Sequence, residues 1–153
     1  MMLELTVDVK APAEEVWRGI TDWPAQGEWI LATDVRAIGG AADEVGGRIE
    51  AWTGVGSIGF LDTMVITEWV PPQRVVVDHT GAVVRGLGIM EVVSVGPQAA
   101  KLLWGEDLEV PGGRLGQAGW PLVRPFAAAG VRRSLVRFAG LVESGRWRRR
   151  RSR

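Results

Sequence analysis

Leu3, Leu5, Val7 and Val9 alternate with Glu4, Thr6, Asp8 and Lys10, the period of two of a half-buried strand. Ala11-Pro12-Ala13 breaks it. Glu14 and Glu15 then suit the positive end of a short helix whose apolar face is Val16, Trp17 and Ile20. Asp22, Pro24 and Gly27 stop or kink that helix, and Trp29-Ile30 follow in a segment expected to fold back under a sheet. Apolar runs at 35–38, 48–53, 60–70, 74–80, 83–95 and 99–110 read as further strands. Gly39-Gly40, the glycines 54, 56 and 59, Pro71-Pro72, Gly81-Ala82, Gly96-Pro97 and Pro111-Gly112-Gly113 punctuate them. Short turns between consecutive strands imply antiparallel pairing.

The period then changes. Val131, Leu135, Phe138, Leu141 and Val142 fall on one stripe of a helix, with Arg132, Arg133, Arg137 and Glu143 on the other side. Burying those five side chains contributes roughly 10 kcal/mol gross, before entropy is subtracted. Pro121 and Pro125 stand at the entry, so the main helix is expected to begin near Pro125 after a looser turn over 119–124. The whole reads as an α+β fold. A curved antiparallel sheet of about seven strands wraps a long C-terminal helix, with two short N-terminal helices and a space between helix and sheet.

The length of 153 residues fits one domain with a single core. No apolar run reaches the length of a membrane span, the N-terminus lacks a signal-peptide pattern, and a cytoplasmic location is expected. The absence of cysteine removes disulfides and thiolate chemistry, and a single histidine removes any multi-histidine metal site. Nothing matches a phosphate loop, a nucleophile elbow or a dinucleotide fingerprint, so neither metal nor cofactor is expected. The glycines of 54–59 read as hairpin glycines. Net charge is zero, but residues 146–153 hold six arginines and no acid, which leaves 12 basic against 18 acidic residues elsewhere. The expected division is therefore a domain over 1–145 and a basic, disordered tail over 146–153. That tail either touches an acidic membrane surface weakly or brushes its own acidic body. No nucleic-acid partner is expected, and a homodimer is left open.

Three stretches carry a family resemblance: Ala11-Pro12-Ala13-Glu14-Glu15-Val16-Trp17 followed by Trp29, then Thr67 through Arg74 (TEWVPPQR), and Ser134 through Gly145 (SLVRFAGLVESG). In this order and spacing the chain resembles the START and polyketide cyclase/dehydrase (SRPBCC) superfamily with its helix-grip fold, over about residues 2 to 146. The resemblance implies a deep apolar cavity between helix and sheet. It also implies ligands such as lipids, sterols or polyketides, and in some members cyclisation, aromatisation or dehydration. No catalytic signature of that family stands in this sequence, and it holds no tyrosine.

His79 is the side chain whose ordinary titration lies near neutrality. It shares a strand face with Val75 and Val77, whereas Asp78 points the other way and cannot orient it. Asp62 interrupts the apolar face of Phe60, Met64 and Ile66, and Glu106 that of Leu102, Trp104 and Leu108. Each carboxylate is either at a wet rim or has a use, with the rim favoured for Asp62. These three are the candidate proton-transfer groups. Trp29, Met64, Ile66, Val77, Trp104, Trp120, Phe126, Val131 and Leu135 are the candidate cavity lining, and Trp17 and Trp69 are expected to be structural. A single β-bulge would reverse such facing assignments. The leading reading is a protein that binds or carries a hydrophobic small molecule. The alternative is a cyclase, aromatase or dehydratase using the same cavity with His79, Asp62 or Glu106.

Overall fold

A computed structural model describes residues 2–148. The strands are β1 (Met2–Val9), β2 (Thr33–Ile38), β3 (Arg48–Val55), β4 (Ile58–Val70), β5 (Arg74–Thr80), β6 (Arg85–Gly96) and β7 (Ala99–Leu108). Between β1 and β2 come helix α1 (Ala13–Ile20) and a 3-10 helix, Trp23–Glu28, and the chain finishes with α2 (Gly113–Glu143). The seven strands form one sheet in the order β1-β7-β6-β5-β4-β3-β2. Every neighbouring pair is antiparallel. The two N-terminal helical pieces carry the chain from one edge strand to the other, after which it meanders back until β7 closes on β1. This is the α+β arrangement that the periodicities predict and the helix-grip fold that the resemblance implies.

The turns follow their residues. Gly54 pairs with Gly59 and Val55 with Ile58, so the β3–β4 turn is Gly56-Ser57, and Gly56 has the left-handed φ of +63° that such a turn requires. β4 stops at Pro71-Pro72, which cannot donate to a ladder. Thr67 is an extra residue in β4, since Ile66 opposes Val77 while Glu68 opposes Val76. This bulge brings Trp69 back to the face of Ile66, where it meets Trp17 edge-on at 5.1 Å. Both tryptophans are packed as structural groups.

α2 differs from its expected start. It is helical from Gly113, with Pro121 and Pro125 inside it. Each proline removes one helical hydrogen bond, but Gln117 and Pro121, four residues before them, are both exposed, so solvent reaches the carbonyls left over. Only the later half of α2 is packed: Leu135, Phe138, Ala139 and Val142 are buried against α1 and the sheet.

Packing also continues past residue 145. Trp147 is buried, stacks at 5.8 Å on Phe138 and donates its indole N–H to Asp22 at 2.9 Å. Arg146 pairs with Glu28 at 2.9 Å, Arg148 approaches Glu15 at 3.8 Å, and Arg18 donates to the Trp147 carbonyl. The first three residues of the basic segment thus lie on the acidic body, and the rest of the expected tail, 149–153, lies outside the described residues. Hydrogen bonding from Arg146 holds the Glu28 carboxyl below its ordinary range. A depressed carboxylate stabilises the fold above its unfolded pKa, and that contribution disappears as pH falls through the folded value. Arg146→Ala should therefore lower stability slightly at neutral pH and not at all once Glu28 is protonated. Urea melts at both pH values check this.

Gly19 shows how closely this region is packed. A Cβ there would lie 2.9 Å from Phe138 Cε2 and 3.0 Å from Trp147 Cε3. Gly19→Ala improves helix propensity, yet overpacking two buried rings should outweigh that gain and destabilise by about 1–2 kcal/mol. Denaturant melts give the sign directly.

Candidate functional site

The sheet has one buried face, marked by Ile49, Ala51, Ile66, Val75, Val77 and Met90, which pack with α1, α2 and the Trp23–Glu28 segment. Register places the candidate polar groups on this same face. Met64 opposes His79, Ile66 opposes Val77, and Gly88 lies between Val77 on one side and Glu106 on the other. Asp62 lies two residues before Met64, hence diagonal to His79 and on its side of the sheet.

That diagonal is closed by a charge-assisted contact. His79 Nδ1 lies 2.8 Å from Asp62 Oδ2 and 3.0 Å from Oδ1, and the two side chains are only 10% and 12% exposed. The carboxylate fixes the imidazole tautomer with the proton on Nδ1, leaving Nε2 as the free nitrogen. Nε2 rests above Gly88, where a Cβ would lie 3.1 Å from it and 2.9 Å from Val77 Cγ2. Asp62 is therefore not at a wet rim as expected. It is buried and orients His79, the role that Asp78 could not take.

Between α2 and the sheet lies an open cleft of about 460 Å³, and of the three proton-transfer candidates Glu106 is in its wall while His79 and Asp62 are not. Its walls are aromatic and aliphatic: Trp29, Ile30, Phe60, Trp104, Val131 and Leu135. Trp29 and Trp104 meet edge to face at 5.8 Å, and Trp29 leans on Phe138 at 4.9 Å. The polar groups at its surface are few. Glu106 accepts the Trp104 indole N–H at 2.9 Å, the Thr33 and Thr53 hydroxyls pair at 3.0 Å, and Ser134 looks in from the helix. The Trp29 indole N–H is buried without a hydrogen-bond partner.

The predicted lining is thus brought together in part. Trp29, Trp104, Val131, Leu135 and Glu106 border the cleft. Ile66 and Val77 are fully packed in the core, Met64 is half-buried against it, and none of the three reaches the cleft wall. Trp120 belongs to a separate groove of about 660 Å³ between α2 and β1, with Pro121, Arg124 and Pro125. Phe126 is 80% exposed on the outer side of the helix. The physical reason is that residues five apart, such as 126 and 131, do not share a helix face. Phe60, Ile30 and Gly130 line the cleft without having been singled out. Phe60 was legible, since it shares the face of Asp62. The other two depend on how the chain turns between elements.

An antiparallel sheet closed around a C-terminal helix, with an apolar cleft between them, defines the helix-grip class of small-molecule-binding folds. The sequence profile described as "Polyketide cyclase / dehydrase and lipid transport" matches residues 2–143, and the chain belongs to that family. No curated protein matches the chain. Solved structures share its fold. TTHA0849 from Thermus thermophilus is 15% identical with a TM-score of 0.78, covering 95% of this chain and 99% of that one. The di-domain ARO/CYC BexL from the BE-7585A biosynthetic pathway is 20% identical with a TM-score of 0.71, and the match spans 94% of this chain but 46% of BexL. The Aha1 dimer from Colwellia psychrerythraea is 14% identical with a TM-score of 0.68, covering 95% and 98%. Among the described residues, no helix is long and apolar enough to cross a membrane.

Proposed function

We propose that this protein binds a largely apolar small molecule, a lipid or a polyketide-like compound, in the cleft between α2 and the sheet. The carrying observation is the cleft itself. Its volume of about 460 Å³ lies in the range of small-molecule sites, and its aromatic walls with a few polar groups suit a greasy ligand with one polar end. Family membership supports the same reading. Gly130 supplies the test, because it borders the cleft and a Cβ there meets nothing within 4 Å. Gly130→Phe should fill the cleft from the helix side without disturbing the fold. An environment-sensitive naphthalene-sulfonate dye, titrated by fluorescence, should bind the wild type and lose at least tenfold in affinity to the variant. Equal binding to both would place the dye elsewhere and sink the reading.

The oriented His79 favours a second reading, catalysis of dehydration or cyclisation on a ligand that extends from the cleft past Glu106 toward the histidine. In a dehydration, Nε2 takes a proton from the carbon next to a carbonyl. The β-hydroxyl leaves as water with one proton returned, and the C–H and C–O bonds give way to C=C. Glu106, across Gly88 from the histidine's strand, is the candidate donor. BexL is a di-domain ARO/CYC, and its likeness in fold lends support. On this reading His79→Gln keeps dye affinity and abolishes loss of water from a β-hydroxyketone, followed by absorbance of the enone. Unchanged turnover in the variant would exclude His79.

A further inference from the structure

The first half of α2 presents three large apolar side chains to solvent. Leu115, Leu122 and Phe126 are spaced by seven and four, which puts them on one helix face. They are 87%, 76% and 80% exposed. The stripe lies opposite the buried one of Leu135, Phe138 and Val142, and Val123 widens it. It is not part of the cleft, and among the described residues it packs on no other element.

The same outer face continues at Arg133 and Arg137, both exposed, seven and eleven residues beyond Phe126. α2 as a whole carries Arg114, Arg124, Arg132, Arg133 and Arg137 against Glu143 alone. With 18 basic and 18 acidic residues in the chain, the remainder of the fold is correspondingly acidic. Glu28 borders Arg133 and Arg137 in a small groove but is already paired with Arg146. Arg146 and Arg148 are likewise held on the body, so of these two arginine-bearing stretches it is the helix, at Arg133 and Arg137, that presents arginines with no ion pair among the described residues.

We propose that this outer face of α2 docks on an anionic lipid bilayer, lying in the plane of the surface. Leu115, Leu122 and Phe126 enter the headgroup boundary, and Arg133 and Arg137 meet lipid phosphates. A solvent-facing apolar stripe joined to arginines on one helix is the pattern of an interfacial helix. The acidic remainder of the fold is repelled by the same surface, which orients the molecule helix-down. A second copy of this chain would also cover an apolar stripe, but it does not account for the arginines running along the same face.

The test is flotation of the full chain with vesicles of phosphatidylcholine alone and of phosphatidylcholine with phosphatidylglycerol. Binding is expected only to the anionic vesicles and should fall steeply with salt. Because the four side chains are exposed, Leu122→Ser/Phe126→Ser and Arg133→Gln/Arg137→Gln should both fold as the wild type does, checked by circular dichroism. Each should bind anionic vesicles at least about tenfold more weakly. Equal binding to both vesicle types, no binding at all, or binding untouched by either pair of substitutions overturns the proposal. Sedimentation of a dimer that Leu122→Ser/Phe126→Ser dissociates, without vesicle binding, replaces the bilayer by a second copy.

Discussion

Trp147→Ala should destabilise the protein by about 3–5 kcal/mol, the cost of removing a large buried ring. Trp147 is 9% exposed and fills the space between Phe138 and α1, and its indole N–H is bonded to Asp22. The substitution leaves a cavity against Phe138, which is completely buried, and strips Asp22 Oδ2 of this donor. Typical domains are only about 5–15 kcal/mol stable, so the loss should be visible as a large fall in urea midpoint. Truncation after Gly145 should do the same. A loss below about 1 kcal/mol would mean that the segment after Gly145 does not belong to the core. Deleting residues 146–153 is accordingly a poor test of tail function, because it also removes this ring.

Asp62→Ala should destabilise by about 2–3 kcal/mol, more than Asp62→Asn. The imidazole of His79 is 10% exposed, so neither water nor another side chain readily replaces the lost acceptor. Asparagine retains a carbonyl oxygen facing Nδ1 and should recover about half of the loss. A double-mutant cycle with His79→Leu separates the pair's coupling from the cavity each substitution leaves. If Asp62→Ala costs nothing in the His79→Leu background, the pair accounts for the effect. If the cost is unchanged there, the contact between Asp62 and His79 contributes nothing to stability.

The pairing of these two residues was the least legible part of the sequence, and the bulge at Thr67 is the reason. Counting back from the Pro71-Pro72 turn, Val70 opposes Arg74 and Trp69 opposes Val75. Continued without interruption, that register would set His79 against Val65, on the opposite side from Asp62. The extra residue shifts the pairing by one and sets His79 against Met64 instead. Nothing in Thr67 itself announces this. The strands, by contrast, were readable from alternation and from Gly and Pro punctuation. The packed half of α2 was readable from Val131, Leu135, Phe138, Leu141 and Val142. Its earlier half was not, because Pro121 and Pro125 argue against helix wherever the surroundings are unknown. Trp147 was hidden by composition, since an aromatic ring amid arginines reads as part of a charged end until its partners Phe138 and Asp22 are in place.

The proposed function requires the cleft under α2 to take an apolar guest. Native mass spectrometry of the protein after exposure to a cellular lipid extract tests it most directly, with Gly130→Phe as the comparison. The wild type is expected to carry a small-molecule adduct that organic extraction removes and that Gly130→Phe does not carry. A wild type with no adduct, or an adduct carried equally by both proteins, would contradict it.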